Sequence, residues 1–191
     1  VITRLSHMLL DQKSLRLFTL DENKISISRI MEDEDYPKLC LVNLSVGVIG
    51  KQRSSILSGL MDALINNNAL ARANIPYRKR KLCTVIKDEF YLGPGDLDSQ
   101  LVGLAKYGLS VIFAHQYIDQ VEGNIRDVMA TAGTRIIFKI RREDADRMGK
   151  DFGIDPKEFT DLRKFQAIVK IEDEIIKINT PKPKFPEQDF S

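Results

Sequence analysis

Cysteine and histidine are scarce, with two of each in 191 residues. Cys40 and Cys83 both lie inside apolar runs, without the spacing of a disulfide framework or a thiolate metal site. Two thiols expected to be buried suit a reducing compartment, the cytoplasm. Two histidines are too few for a His-rich zinc site. No apolar stretch reaches the ~20 residues that span a bilayer. Attachment to the inner face of a membrane would therefore depend on segments outside this sequence. A strong charge of either sign is also missing. The 29 Lys+Arg against 27 Asp+Glu leave a formal charge of +2 and a pI near 8.5, too mild to mark a nucleic-acid binder by itself. A basic run, Arg78-Lys79-Arg80-Lys81, is local and reads either as solvated loop or as a DNA contact.

What the chain does have is a 43% hydrophobic content, enough for a sizeable core in a chain of this length. Residues 3–20 space Leu5, Met8, Leu9, Leu15, Phe18 and Leu20 as a helix does. A short element over Ile27 to Asp33 follows. The run Leu39 to Leu44 is short and continuously apolar, as in a buried strand. Gln52 to Ala71 places Ile56, Leu57, Leu60, Met61, Leu64 and Ile65 on one helical stripe, predicting a helix packed on a core. A strand is expected over Leu82 to Ile86. The Gly93-Pro94-Gly95 loop then opens a helix over about 96–107, stopped by Gly108. Strand Leu109 to Ala114, a helix over about 124–132, strand Thr134 to Ile140 and a helix beginning near Glu143 complete an alternation that predicts an α/β fold with a mostly parallel sheet flanked by helices. Gln166 to Ile171 and Glu174 to Ile178 read as a C-terminal β-hairpin around Glu172-Asp173.

Chemistry concentrates at Thr84-Val85-Ile86-Lys87-Asp88-Glu89. Acidic residues at the carboxyl end of a buried parallel strand sit where α/β sheets bind ligands. An apolar strand ending in Asp-Glu is the Walker B arrangement, in which the Asp helps to hold Mg²⁺ and the Glu polarises the water attacking the γ-phosphate. Adjacent residues point to opposite faces, so the two carboxylates can take separate tasks. The same hexapeptide also fits a strand end with solvated acids. One strand later, His115 reads as a hydrogen-bonded strand-end histidine, while Gln116 is placed to sense a γ-phosphate. The sequence lacks the G-x-x-x-x-G-K-[ST] loop that cradles phosphates. Its nearest approach, Gly47-Val48-Ile49-Gly50-Lys51, has Ser45 where the first glycine belongs and Gln52 in place of the Mg²⁺-binding Ser/Thr.

Taken in order, Leu39 to Ser45, Val85 to Phe90, Ala105 to Ser110, Ala114 to Tyr117 with Gln120, and Gly133 to Ile140 with Asp144-Ala145 resemble the conjugative-transfer and type IV secretion ATPases of the HerA/FtsK superfamily. The likeness covers the part after the phosphate loop. It implies a RecA-like P-loop NTPase core fragment over 1–180, with an extended tail over 181–191. It implies Asp88 as the Mg²⁺ carboxylate, Glu89 as catalytic base and Gln116 as sensor, with ATP and Mg²⁺ as cofactors. Gly47 and Gly50 then belong to a turn before a helix. In that family an Arg in the helix after Walker B reaches the neighbouring subunit's nucleotide, a contact worth roughly 10³–10⁵ in rate. Ala105 holds that position here, leaving Lys106, Arg135 or Arg141 to supply the charge. A further expectation is that strands 109–114 and 134–140 are separated by a slot for a strand outside this sequence, the alternative being that they pair directly in a rearranged sheet.

The leading expectation is therefore the C-terminal half of a hexameric, ATP-driven DNA translocase motor, inactive as an isolated piece. A non-catalytic oligomerisation or docking module of a secretion or packaging apparatus is the alternative, with channel or membrane components as partners. A metal-dependent nuclease using Asp88 and Glu89 is a third reading, lacking the further carboxylates of a two-metal site.

Overall fold

A computed structural model of the chain describes residues 25–35, 39–88, 103–116 and 132–182. Its contacts divide the chain into two compact units, Val1–Gln116 and Tyr117–Ser191. The expected helices over 3–20 and 124–132, most of that over 96–107, and the Gly93 to Gly95 loop fall outside the described residues or at their margin.

The first unit contains α1 (Ile27–Glu32), the single turn α2 (Val46–Ile49), α3 (Lys51–Ala71), and strands β1 (Cys83–Asp88) and β2 (Leu109–Ala114). Three 3₁₀ turns, Arg72–Asn74, Tyr77–Lys79 and Ala105–Tyr107, join these elements. Helix α1 starts where the Ser26 hydroxyl accepts the Arg29 amide at 3.3 Å, and Arg29 ties its far end by pairing with Asp33 at 2.9 Å. Strands β1 and β2 run parallel from Cys83 opposite Leu109 to Asp88 opposite Ala114. Their inward residues pack with Met31, Ala69 and Leu104 into one core that also takes in Ile27 and Ile65. Gly108, at φ +78°, turns the chain into β2. A Cβ there would stand 2.8 Å from the Lys81 carbonyl oxygen, so the position admits no side chain.

Two expectations are corrected in this unit. Residues 39–44 form no strand among the described residues; Leu39 and Leu41 are 74% and 85% exposed, and the Cys40 thiol, expected to be buried, is exposed with them. An apolar run becomes a strand only with a ladder partner. The ties found here are an Asx turn, in which the Ser45 amide donates to Asn43 Oδ1, and the Ser54 hydroxyl donating to the Leu44 carbonyl at 2.6 Å. The long helix is present, but its buried residues are Ser54, Asp62 and Ala69, while Leu60 and Leu64 of the expected apolar stripe are exposed. Ser54 and Asp62 on the buried face each have a partner there, the Leu44 carbonyl and Lys87.

The second unit contains β3 (Thr134–Ile137), α4 (Arg142–Phe152), the short α5 (Lys157–Thr160), β4 (Gln166–Ile171) and β5 (Glu174–Asn179). The expected hairpin is there, with a two-residue Glu172-Asp173 turn in which Glu172 takes φ +53°. Strand β3 is shorter than expected and pairs antiparallel with β4, extending the hairpin to the order β3-β4-β5. Ala145, Phe152, Phe159, Leu162 and Ile168 make the core, with the Phe152 and Phe159 rings edge to face at 5.4 Å. The mixed α/β class expected from the sequence is present, as a parallel pair and an antiparallel sheet.

Candidate functional site

Alternation along the paired strands sorts their residues by face. Cys83, Val85 and Lys87 are half-buried, while Thr84, Ile86 and Asp88 point to the exposed side. Asp88 lies opposite Ala114 in register, and Gln116 follows two residues beyond Ala114, exposed at the same carboxyl end of the pair. The structure thus brings Asp88 and Gln116 to one edge. Glu89 lies outside the described residues, and His115 between them is half-buried.

Behind this edge is an ion pair that the sequence reading missed. Lys87 Nζ stands 2.5 Å from Asp62 Oδ1, with the two side chains only 14% and 8% exposed, and 5.6 Å from the centre of the Phe113 ring. It ties the carboxyl end of β1 to α3 and reaches over β2. One interruption signalled it, a Lys within the apolar run before Asp88-Glu89, whereas Asp62 lies off the expected apolar stripe of α3.

Among the described residues no group of three or more His, Cys, Asp or Glu could hold a metal ion. One exposed carboxylate at a strand end suits a cation that keeps several waters and shares phosphate oxygens, which is how Mg²⁺ is usually held. The Gly47–Gly50 stretch does not suit phosphate. The amides of Val48 and Ile49 donate to the Ser45 carbonyl at 3.0 and 3.1 Å, and that of Gly50 to the Val46 carbonyl at 2.8 Å. Those donors close a helical turn instead of lining a cradle.

The basic candidates separate by environment. Arg135 pairs with Asp151 and stacks 4.8 Å over the Phe152 ring. Arg141 holds Asp144 Oδ2 at 2.9 Å at the start of α4. Lys106 is exposed, 5.1 Å over the Tyr107 ring, at the amino end of β2. Lys81 donates to the Glu32 carbonyl at 2.8 Å and to Glu34 Oε1 at 2.9 Å. Arg80 donates to the carbonyls of Ile75, Lys106 and Ala73 and stacks on Tyr107. Arg78 and Lys79 are exposed on their 3₁₀ turn.

This amino end is built around Arg72, 2% exposed, which donates to Glu32 Oε1 at 2.5 Å and to the carbonyls of Met31, Tyr107 and Gly108. Nearby, burial pushes the Cys83 thiol above its ordinary pKa, with Arg72 opposing and Glu32 adding to the shift. Cys83 is therefore a protonated core thiol rather than a nucleophile.

No protein-family model and no curated protein matches this sequence. Solved structures do share its fold. The plasmid coupling protein TrwB, in complex with the non-hydrolysable GTP analogue GDPNP, aligns with 91% of this chain and 47% of its own at a TM-score of 0.64 and 18% identity. Unbound TrwB, a bacterial conjugative coupling protein, aligns with 71% of this chain and 39% of its own at a TM-score of 0.58 and 17% identity. The genome packaging NTPase B204 of Sulfolobus turreted icosahedral virus 2, in complex with AMPPCP, aligns with 65% of this chain and 63% of its own at a TM-score of 0.51 and 14% identity. In each of these alignments the chain spans less than two thirds of the matched protein. In its fold the chain is thus a mixed α/β structure shared with a conjugative coupling protein and a viral genome packaging NTPase.

Proposed function

We propose that the chain is part of an ATP-driven DNA translocase motor of the conjugation and type IV secretion class, contributing the Walker B carboxylates and the sensor strand. The observation that carries this reading is the convergence of Asp88 and Gln116 at the carboxyl end of adjacent parallel strands, in a fold shared with nucleotide-bound NTPases. Asp88 is the carboxylate for Mg²⁺, which when bound neutralises phosphate charge. Glu89 orients and polarises the attacking water, and Gln116 donates a hydrogen bond toward the γ-phosphate or that water. Of the three cations considered for action across a subunit boundary, Arg135 and Arg141 have carboxylate partners, while Lys106, exposed like Arg141, has none among the described residues. The reading further takes the working form to be a hexamer in the cytoplasm, acting on DNA and docking to channel or membrane components through other regions.

The test is DNA-stimulated ATP hydrolysis by the complete protein. Glu89→Gln is expected to lower turnover by at least about 100-fold, as loss of a general base does, and turnover equal to wild type overturns the assignment. A second reading, a docking module without catalysis, is equally compatible with the amides of Val48, Ile49 and Gly50 closing a helical turn. Complete protein that assembles but neither binds nor hydrolyses ATP would establish it.

A further inference from the structure

The cations of the parallel pair and its connecting turns divide into those with an acid beside them and those without. Arg72 is matched by Glu32, Lys81 by Glu34 and Lys87 by Asp62. Arg78, Lys79, Arg80 and Lys106 have no carboxylate partner among the described residues. Arg80 spends its donors on three neutral carbonyls, so its charge stays uncompensated while its geometry is fixed. Those bonds join the Tyr77–Lys79 turn to the Ala105–Tyr107 turn, because one of the carbonyls belongs to Lys106. The Arg80 and Lys106 head groups both lie over the Tyr107 ring, at 5.2 and 5.1 Å. Beside them Tyr77 is 72% exposed, an aromatic face left in water between Pro76 and Arg78.

We infer that this edge is a docking surface for a single nucleic-acid strand: Arg78 and Lys79 take backbone phosphates, and Tyr77 stacks a base. A cationic track with an exposed aromatic ring is what sequence-tolerant single-strand binding requires. An acidic protein surface would use the cations but has no call for the ring. The two turns are held by backbone-directed bonds before any ligand arrives, which lowers the ordering cost of binding. The inference deepens the motor reading by naming where the polymer is held, but binding at this edge requires no hydrolysis.

The experiment is fluorescence anisotropy of the complete protein with a labelled oligothymidine at several salt concentrations, without nucleotide. Replacing both cations, Arg78→Ala with Lys79→Ala, should weaken binding and flatten the slope of log K against log salt by about 1.4, at ~0.7 per lost phosphate contact. Arg78→Lys should keep the slope. Tyr77→Ala should weaken binding about tenfold and leave the slope unchanged. Hydrolysis measured without DNA should be the same in all these variants, which separates failure of this edge from failure of the ATPase reading. A folded double variant with wild-type affinity and slope overturns the inference, as does wild-type protein that does not bind the oligonucleotide. Loss of an acidic protein ligand alone, with oligonucleotide binding intact, also overturns it.

Discussion

At the scale of single residues, Asp62 and Lys87 show how a polar pair is held in a core. Removing two charges from water costs several kcal/mol per ion, and their attraction at close range roughly offsets that. The pair is therefore weak evidence of stability but strong evidence of dependence, since either partner alone is a buried charge without its counterpart. Lys87→Met and Asp62→Leu are each expected to cost about 3–5 kcal/mol. The double substitution, which fills the same space with apolar groups, should recover most of that loss. Urea denaturation of the four proteins checks this, and additive losses would show that the two side chains do not depend on one another. The ion pair also explains why Lys87 interrupts an otherwise apolar strand directly before Asp88. It fills the inward position at the strand end, so the next residue is turned to the exposed face.

At the scale of elements, the sequence disclosed periodicity better than partnership. Helix α3, β1, β2, α4 and the hairpin all lie close to where apolar spacing and turn residues put them. The carboxyl-edge placement of Asp88 and Gln116 was legible for the same reason, since both end apolar runs. The face of α3 was not legible, because Ser54 and Asp62 are buried through Leu44 and Lys87, distant in the sequence. Nor was the fate of 39–44, since apolarity says that a run needs a partner and not whether one is at hand. Arg80 stood in a basic run open to two readings, solvated loop or DNA contact, and only the fold supplies the carbonyls that hold it.

Helix α4 illustrates a contest of magnitudes that its sequence alone would misjudge. Alanine in place of a helical glycine gains about 1 kcal/mol in propensity, so Gly149→Ala looks stabilising. A Cβ at that position would lie 2.9 Å from both the Ile154 carbonyl oxygen and Pro156 Cγ, where the chain folds back into α5. Backbone and a proline ring cannot move aside cheaply, and overpacking of this kind costs about 1–3 kcal/mol. Gly149→Ala should therefore lower stability on balance. Gly47→Ala serves as the comparison: its nearest neighbour would be the Ser45 hydroxyl at 3.8 Å, so the change should be neutral or slightly stabilising. Thermal melting of both variants decides, and a rise in Tm for Gly149→Ala would mean that the α4–α5 turn yields.

At the scale of the whole molecule, the two ends of the β1–β2 pair have opposite chemistry. Asp88 and Gln116 occupy the carboxyl end, and Lys106 with the Tyr77–Lys79 turn the amino end. Five residue steps at ~3.3 Å each put about 17 Å between them, beyond the reach of a lysine side chain extended along the strand. A cation at Lys106 thus cannot serve the carboxylates of its own sheet, and if it acts in hydrolysis it acts on a neighbouring subunit's nucleotide. The proposed assembly then makes a prediction that a self-contained site does not. Lys106→Ala and Glu89→Gln proteins should each be nearly inactive alone, since every boundary lacks one of the two groups. Mixed in equal amounts and allowed to exchange subunits, about one boundary in four joins an intact Glu89 to an intact Lys106, and activity should return toward a quarter of wild type. The measurement is ATP turnover against mixing ratio, with a maximum near equal proportions. Full activity in Lys106→Ala alone would remove the residue from hydrolysis. Two inactive variants that stay inactive after demonstrated subunit exchange would mean that both groups are needed within one subunit, which the 17 Å separation along β1 and β2 forbids unless the sheet itself rearranges.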